Sequence, residues 1–263
     1  MNKKDLNYIM KPDDFKKSNK LEWNKNTDYW TQSELRQVVD TRHFLKLKLQ
    51  DLFAKYPKDF EFTIYDFGFG NCWLLELIIE LKVNFKYIGF DFNKKFIEIY
   101  TKKYQSLQNI KFIDQDLEEP ISQELLNKAD FVFTLFTLFE IPQVDKVFKN
   151  VSNCLKNKGK HILMTIDSFY LMLALSNNFQ ELKDILKTFS DYKNKNKTPY
   201  FFQDIDLGDK NSTKLKYASV LYTTSDYIKK AQNNNLDLIT FDELIKTAKF
   251  TPKVYQYYEF SKK

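Results

Sequence analysis

The stretch Phe62-Thr63-Ile64-Tyr65-Asp66-Phe67-Gly68-Phe69-Gly70-Asn71-Cys72-Trp73 decides how this chain reads. An apolar run, Phe62 to Tyr65, breaks on two glycines and gives way to a helically spaced apolar run, Trp73 to Leu81. A strand that turns on glycines into a helix lets backbone N–H groups and the helix N-terminus approach a ligand closely. Twenty-one positions beyond Gly70, the next apolar run, Phe85 to Phe90, ends on Asp91. An acid about 20 residues past such a turn stands where a ribose hydroxyl is met. Capping the helix that starts near Asn93 is the other use open to Asp91.

Working outward, the same rhythm continues. Helix Lys94–Tyr104, strand Ile110–Ile113, short helix Ser122–Leu126, strand Phe131–Phe136, helix Val144–Leu155 and strand His161–Ile166 are expected, with Lys158-Gly159 closing the helix before the last of them. Five strands alternating with helices mean a parallel sheet covered on both faces. Upstream, residues 1–26 are polar and expected to be flexible at their start, and Asp28 to Phe53 reads as two helices broken near Asp40. Downstream the rhythm changes. A helical stretch (Tyr170 to Phe189), an aromatic strand at Tyr200-Phe201-Phe202, a turn at Gly208 to Asn211 and a strand at Ala218–Tyr222 precede a helix that starts at Thr224-Ser225-Asp226. Leu236–Phe241 and Val254–Phe260 read as the final strands.

Composition narrows the class. Hydrophobic residues at 43% with 29% charged residues describe a globular chain, and no apolar run approaches the roughly 18 residues of a membrane span. No apolar leader is visible near Met1, and Cys72 and Cys154 have no metal-ligand or disulfide-framework spacing, so a cytoplasmic protein without a metal is expected. The net charge of +6 rests almost wholly on lysine, since Arg36 and Arg42 are the only arginines. Lysine is the poorer residue for bidentate phosphate recognition, which argues against a nucleic-acid partner. Trp73, where a third glycine would serve a pyrophosphate, speaks against a dinucleotide.

Four ordered motifs resemble those of the class I S-adenosylmethionine-dependent methyltransferases: Asp66-Phe67-Gly68-Phe69-Gly70, Gly89-Phe90-Asp91, Asp114-Gln115-Asp116-Leu117, and the run from Asp130-Phe131-Val132-Phe133 to Leu138-Phe139-Glu140-Ile141-Pro142. Leu155 to Leu163, and the stretch from Thr223 to Phe241, add to the likeness. Cys72 replaces that family's third glycine, and Phe139-Glu140 replaces its usual histidine pair.

The resemblance implies an α/β, Rossmann-like, doubly wound and mostly parallel seven-stranded sheet. It would carry an N-terminal helical cap (1–59), a cofactor-binding core (60–167), an inserted α+β acceptor lobe (168–222, with Tyr170, Tyr200, Phe201 and Phe202) and a closing helix with two strands (223–263). It implies S-adenosyl-L-methionine as cofactor, held by Asp66 (ammonium), Gly68 and Gly70 (close backbone), Asp91 (ribose) and Asp116 with Leu117 (adenine). Phe92 and Phe133 complete that set, with Tyr29 and Trp30 as a closing lid and Arg36 on a carboxylate. A surface ion pair with Glu34 or Asp40 is the alternative for Arg36 and Arg42, and a solvated turn the alternative for Asp114 and Asp116.

Phe136 and Phe139 are candidate aromatic walls beside the methyl group. For a hydroxyl acceptor the base would be Glu140 or Asp167, at the carboxyl ends of the fourth and fifth strands; His161 sits at the wrong end and His43 on a helix. The expected activity is methyl transfer to an oxygen or nitrogen of a small molecule, sugar or natural-product-like. The alternatives are RNA methylation and a catalytically degenerate binding protein of this fold. Oligomeric state is left open by the sequence.

Overall fold

A computed structural model of the chain describes residues 12–32, 39–170, 179–194, 200–206, 214–246 and 253–263. Three helices come first: α1 (Pro12–Lys25), α2 (Thr27–Gln32) and α3 (Val39–Phe53). Strand–helix alternation then runs β1 (Glu61–Phe67), α4 (Trp73–Leu81), β2 (Asn84–Asp91), α5 (Lys94–Lys103), β3 (Ile110–Asp114), β4 (Ala129–Leu135), α6 (Val144–Cys154) and β5 (Leu155–Ile166). The last part holds α7 (Phe179–Asn194), β6 (Tyr200–Asp206), β7 (Lys214–Val220), α8 (Thr224–Asn233), β8 (Leu236–Lys246) and β9 (Lys253–Lys262).

Seven strands form one sheet in the order β3-β2-β1-β4-β5-β9-β8. β1 to β5 are parallel, and β9 inserts antiparallel between β5 and β8. The strand order reverses between β1 and β4, so a crevice opens at the carboxyl ends there. β6 and β7 form a separate antiparallel pair, and β7 lies against α1 and the 3-10 turn Leu138–Glu140.

The strands are apolar on both faces because both faces are covered. Tyr65, Phe67, Val147, Phe148 and Tyr258 pack on one side; Ile64, Leu74, Ile78, Phe131 and Phe133 pack on the other. Each such side chain, fully buried, contributes about 1.5–3 kcal/mol relative to an exposed one.

Several expectations are refined or corrected. Within the polar stretch 1–26, expected to be flexible at its start, residues 12–25 form a helix. Pro12 sits at its first position, Asp13 and Asp14 in its first turn and Lys25 in its last, all favourable to the helix dipole. Lys158-Gly159 does not end a helix. α6 stops at Cys154, Leu155 is already extended, and β5 absorbs a bulge in which Lys158 has φ 63°. A Cβ on Gly159 would lie 2.9 Å from the Lys156 carbonyl oxygen and 3.0 Å from that of Ala129, so the bulge requires glycine. The helix expected from Thr224 forms as α8, with a capping box between Thr223 and Asp226. The break near Asp40 falls between α2 and α3, and residues 33–38, 171–178 and the turn at 208–211 lie outside the described residues.

Candidate functional site

The glycine turn closes the bottom of the crevice. Gly68 (φ 78°), Gly70 (φ 48°) and Cys72 (φ 61°) all take the left-handed conformation. Cys72, in the place of a third glycine, does so at a cost of roughly 1–2 kcal/mol and is fully buried. The turn is tied to β2, since Gly68 N donates to the Phe90 carbonyl at 2.8 Å. Over Gly68 lies Thr137, whose hydroxyl donates to the Phe67 carbonyl at 3.2 Å; a Cβ on Gly68 would meet Thr137 Cγ2 at 2.5 Å. Gly70 has no such neighbour, because it borders open space.

Asp91 ends β2 under this turn. Its Oδ2 accepts from Gly70 N at 3.1 Å and its Oδ1 from Asn93 N at 2.9 Å. The helix cap is Asn93, which accepts from Lys95 N and Phe96 N, so Asp91 is not spent on capping. Burial pushes the Asp91 carboxyl up to about 6, against the backbone hydrogen bonds that favour its ionised form.

After β3 the chain turns through Asp116, Leu117 and Glu118. Asp116 Oδ2 pairs with Lys16 and Lys20 of α1, each at 2.7 Å, and Oδ1 accepts from Glu118 N at 3.0 Å. Burial raises this carboxyl, but the two lysines outweigh it and leave it below the usual range. Lys16 also pairs with Glu118 at 2.8 Å.

The third wall follows β4. Phe136 has φ 59°, a conformation that costs a bulky residue about 1–3 kcal/mol and holds only where the surroundings fix it. Here Phe136 N donates to the Met164 carbonyl at 2.8 Å. Glu140 accepts from the indole N–H of Trp23, and its backbone carbonyl takes Asn19 Nδ2 at 3.5 Å. Its carboxyl faces the cavity instead of bulk water. That desolvation pushes it up to about 8, the Asp91 charge adds to the push, and the Trp23 hydrogen bond opposes it.

These groups line one cavity of about 360 Å3, within the range of small-ligand sites. It runs from the α1 and β3 end (Lys16, Lys20, Asp116, Leu117) past Gly68, Gly70, Asp91, Phe92 and Glu140 to Leu135, Phe136, Ile166, Ser219 and Tyr255. Trp30 and Phe139 also line it.

Other expected site residues are not brought there. Asp66 is buried beneath the turn, where the Tyr87 hydroxyl donates to its Oδ2 at 2.7 Å. Burial pushes Asp66 up to about 7. Phe133 is two residues short of the strand end and packs in the core with Phe131. Asp167 turns away: its Oδ1 accepts from Phe169 N and Tyr170 N, and its Oδ2 from Gln256 at 2.7 Å. Asp114 pairs with Lys94 at 3.5 Å on the surface. Tyr170 packs on Phe169 and is not among the lining residues.

Arg42 pairs with Glu76 at 3.7 Å and Glu80 at 3.6 Å. His43 is exposed on α3. His161 is buried inside β5 with Thr134 Oγ1 2.8 Å from its Nε2, and burial pushes it down to about 3. Arg36 and the side chains of Tyr29 and Tyr200 to Phe202 lie outside the described residues.

Sequence reading missed Asn19 and Trp23 on α1, and Ser219 and Tyr255 across the cavity. The signal for α1 was present: Phe15, Asn19 and Trp23 repeat every fourth residue behind Pro12.

The arrangement fits S-adenosylmethionine on two observations. At Gly70 no atom lies closer than 4.0 Å to an added Cβ, so the backbone there faces cavity space that a side chain would narrow. Asp91 Oδ2 accepts from Gly70 N and Oδ1 from Asn93 N, which leaves acceptor capacity on both oxygens for a diol.

Comparison with known proteins agrees. Residues 64–159 match a family model described as a methyltransferase domain. No curated protein matches the sequence. A SAM-dependent methyltransferase from Methanosarcina mazei superposes with a TM-score of 0.59 at 15% identity, over 80% of this chain and 96% of that one. An S-adenosylmethionine-dependent methyltransferase from Clostridium acetobutylicum gives a TM-score of 0.59 at 18% identity, over 91% and 98%. A putative S-adenosylmethionine-dependent methyltransferase from Listeria monocytogenes gives 0.58 at 14%, over 82% and 98%. At these identities the structures establish the shared, mostly parallel Rossmann-like fold. The matched segment, residues 64–159, spans the core of that fold from β1 into β5 and carries the ordered motifs from Asp66 to Pro142 at the crevice, so this part of the chain is similar to a methyltransferase domain.

Proposed function

We propose that this chain is an S-adenosylmethionine-dependent methyltransferase that acts on an oxygen or nitrogen of a small molecule. The observation that carries the reading is size: among the described residues, α1 and Ser219 of β7 border a cavity of about 360 Å3, a volume suited to a small ligand. That size supports a small molecule over RNA. Cys72, held in the conformation a glycine would take, keeps the turn intact and supports an active enzyme over a degenerate one. Two free buried cysteines suit a reducing compartment, and the cytoplasm is the location we attach to this reading. Among the described residues no helix is long and apolar enough to cross a membrane.

In this reading Asp91 accepts from both ribose hydroxyls, a charge-assisted pair. The Gly68–Gly70 backbone borders the methionine part. Leu117 N and Asp116 meet the adenine with Phe92 beside it, once Lys16 and Lys20 share Asp116 with the ligand. Trp30 and Phe139 supply aromatic faces suited to a cation. When bound, S-adenosylmethionine supplies a methyl group whose bond to sulfur breaks as the acceptor atom forms the new one, leaving a neutral thioether. The chain's part is to align the acceptor, exclude water and take the acceptor's proton. Glu140, in its ionised form, accepts that proton. Isothermal titration with S-adenosylmethionine tests the reading: micromolar binding, about −8 kcal/mol, is expected. Absence of binding by folded protein overturns it.

A further inference from the structure

Resting on the methyltransferase reading, we infer that the acceptor is an uncharged, flat, apolar ring system, read by an aromatic wall of Phe136, Trp73 and Tyr255. The cavity is divided by the sheet itself. Its β2–β3 end, beneath α1, holds the charged groups Lys16, Lys20, Asp91, Asp116 and Glu118, and both lysines are paired with acids there. Its β4–β5–β9 end presents Leu135, Phe136, Ile166 and Tyr255. The cofactor's nucleoside belongs at the first end, so the acceptor belongs at the second.

Phe136 is the pivot of that wall. Its ring lies 6.4 Å from that of Trp73 at 31°, and 5.7 Å from that of Tyr255 at 80°. Two orientations therefore meet at one corner. A flat ring laid there gains an offset stack and an edge-to-face contact together. The ring reaches this place only because Phe136 adopts φ 59°, a conformation glycine would hold without strain. Backbone strain kept at a cavity wall, with the ring turned into the cavity, marks a residue held for what it touches. The ring faces of Phe136, Trp73 and Tyr255 offer no hydrogen-bond partner, so a sugar's hydroxyls or an acceptor carboxylate laid against them would lose water uncompensated, with only neighbours such as Thr137 and Ser219 to offset the loss.

The test uses three probes against the full chain saturated with adenosylhomocysteine, by isothermal titration. They are 2-naphthol, 2-naphthoate with the same body and a charge, and methyl glucoside. 2-Naphthol is expected to bind at least about ten-fold tighter than 2-naphthoate, with no measurable glucoside binding. Phe136→Gly, which relieves the strained φ but also removes the ring's packing on Trp73 and Tyr255, is expected to weaken 2-naphthol about ten-fold; Tyr255→Leu serves as a second wall variant, which keeps the backbone at Phe136 unchanged. Equal or tighter binding of 2-naphthoate or the glucoside, or undiminished 2-naphthol binding in both variants, overturns the inference. If those results appear while S-adenosylmethionine still binds, only the acceptor class falls. If S-adenosylmethionine itself does not bind, the methyltransferase reading falls and this inference with it.

Discussion

Thr137 sits directly on Gly68. The Thr137 side chain occupies the space a Cβ would need, with Cγ2 and Oγ1 at 2.5 and 2.6 Å from that position, while Gly68 itself has φ 78°. The turn after β1 is thus locked to the segment after β4. Gly68→Ala adds a steric collision to a left-handed conformation and is expected to cost about 1–3 kcal/mol, a fall of several degrees in the unfolding midpoint. Gly70→Ala meets no atom closer than 4.0 Å and carries only the conformational cost, about 1 kcal/mol. Thermal unfolding of both variants checks the ranking. Thr137→Ala should recover part of the Gly68→Ala loss, and strict additivity of the two changes would remove the proposed contact.

Asp91 is expected to carry more of the cofactor's binding energy than any other side chain at the turn. Hydrogen bonds to a charged acceptor contribute about 1.5–3 kcal/mol. Asp91→Ala also removes the brace between Gly70 N and Asn93 N. A loss of about ten- to a hundred-fold in S-adenosylmethionine affinity is therefore expected. Asp91→Asn retains one acceptor oxygen and should fall between. Titration calorimetry reads both; unchanged affinity in Asp91→Ala would falsify the ribose contact.

The fold was legible where periodicity and turn chemistry agreed. The strand–glycine–helix segment around Gly68 and the acid at Asp91 placed the sheet and its reversal point, because both follow from local spacing. Depth within the crevice was not legible. Phe133 and Leu135 differ by a single pleat repeat, yet the first is core and the second lines the cavity. Asp66 and Asp167 stand at strand ends, as a ligand contact requires. Each is claimed by a partner distant in sequence or by the next helical turn, Tyr87 for one, Gln256 and Phe169 N for the other. An N-terminal helical cap was expected, but Asn19 and Trp23 were not placed in the site, because the stripe of Phe15, Asn19 and Trp23 includes a polar residue whose use appears only once Glu140 is placed against it.

Glu140 gives the activity a pH dependence. Desolvation in the cavity, with Asp91 nearby and Trp23 opposing, pushes its carboxyl up to about 8. As proton acceptor it works only when ionised, so kcat/KM with a hydroxyl acceptor should rise as pH passes through about 8. Glu140→Gln should lower the rate and flatten that limb. Stability runs the other way. The folded carboxyl holds its proton to about pH 8, whereas the unfolded one releases it near the ordinary glutamate value of 4.5, so stability is fully present at low pH and is lost as pH rises through that window. Glutamine carries no charge, so Glu140→Gln should unfold at a higher temperature than wild type at pH 9, and the two should converge at pH 5. Equal midpoints at both pH values would contradict a carboxyl held neutral by the cavity.

Lys16 and Lys20 both reach Asp116, but only Lys16 also satisfies Glu118, whose side chain is 2% exposed and whose other oxygen accepts from Gln143 N at 2.7 Å. The two lysines are therefore unequal. Removing one partner of a buried charge leaves the other uncompensated, while an exposed pair contributes about 0–1 kcal/mol. Lys16 is 22% and Lys20 35% exposed, which places Lys16 nearer the buried case. Lys16→Ala is expected to destabilise by about 1–3 kcal/mol and Lys20→Ala by less than about 1 kcal/mol. Because α1 is the cavity's roof, the Lys16→Ala loss should appear as faster amide exchange confined to residues 12–25, and as faster release of bound S-adenosylmethionine. Lys20→Ala should change release little. Hydrogen exchange and stopped-flow dissociation measure the two effects, and equal behaviour of the variants would show that Glu118 does not anchor the roof.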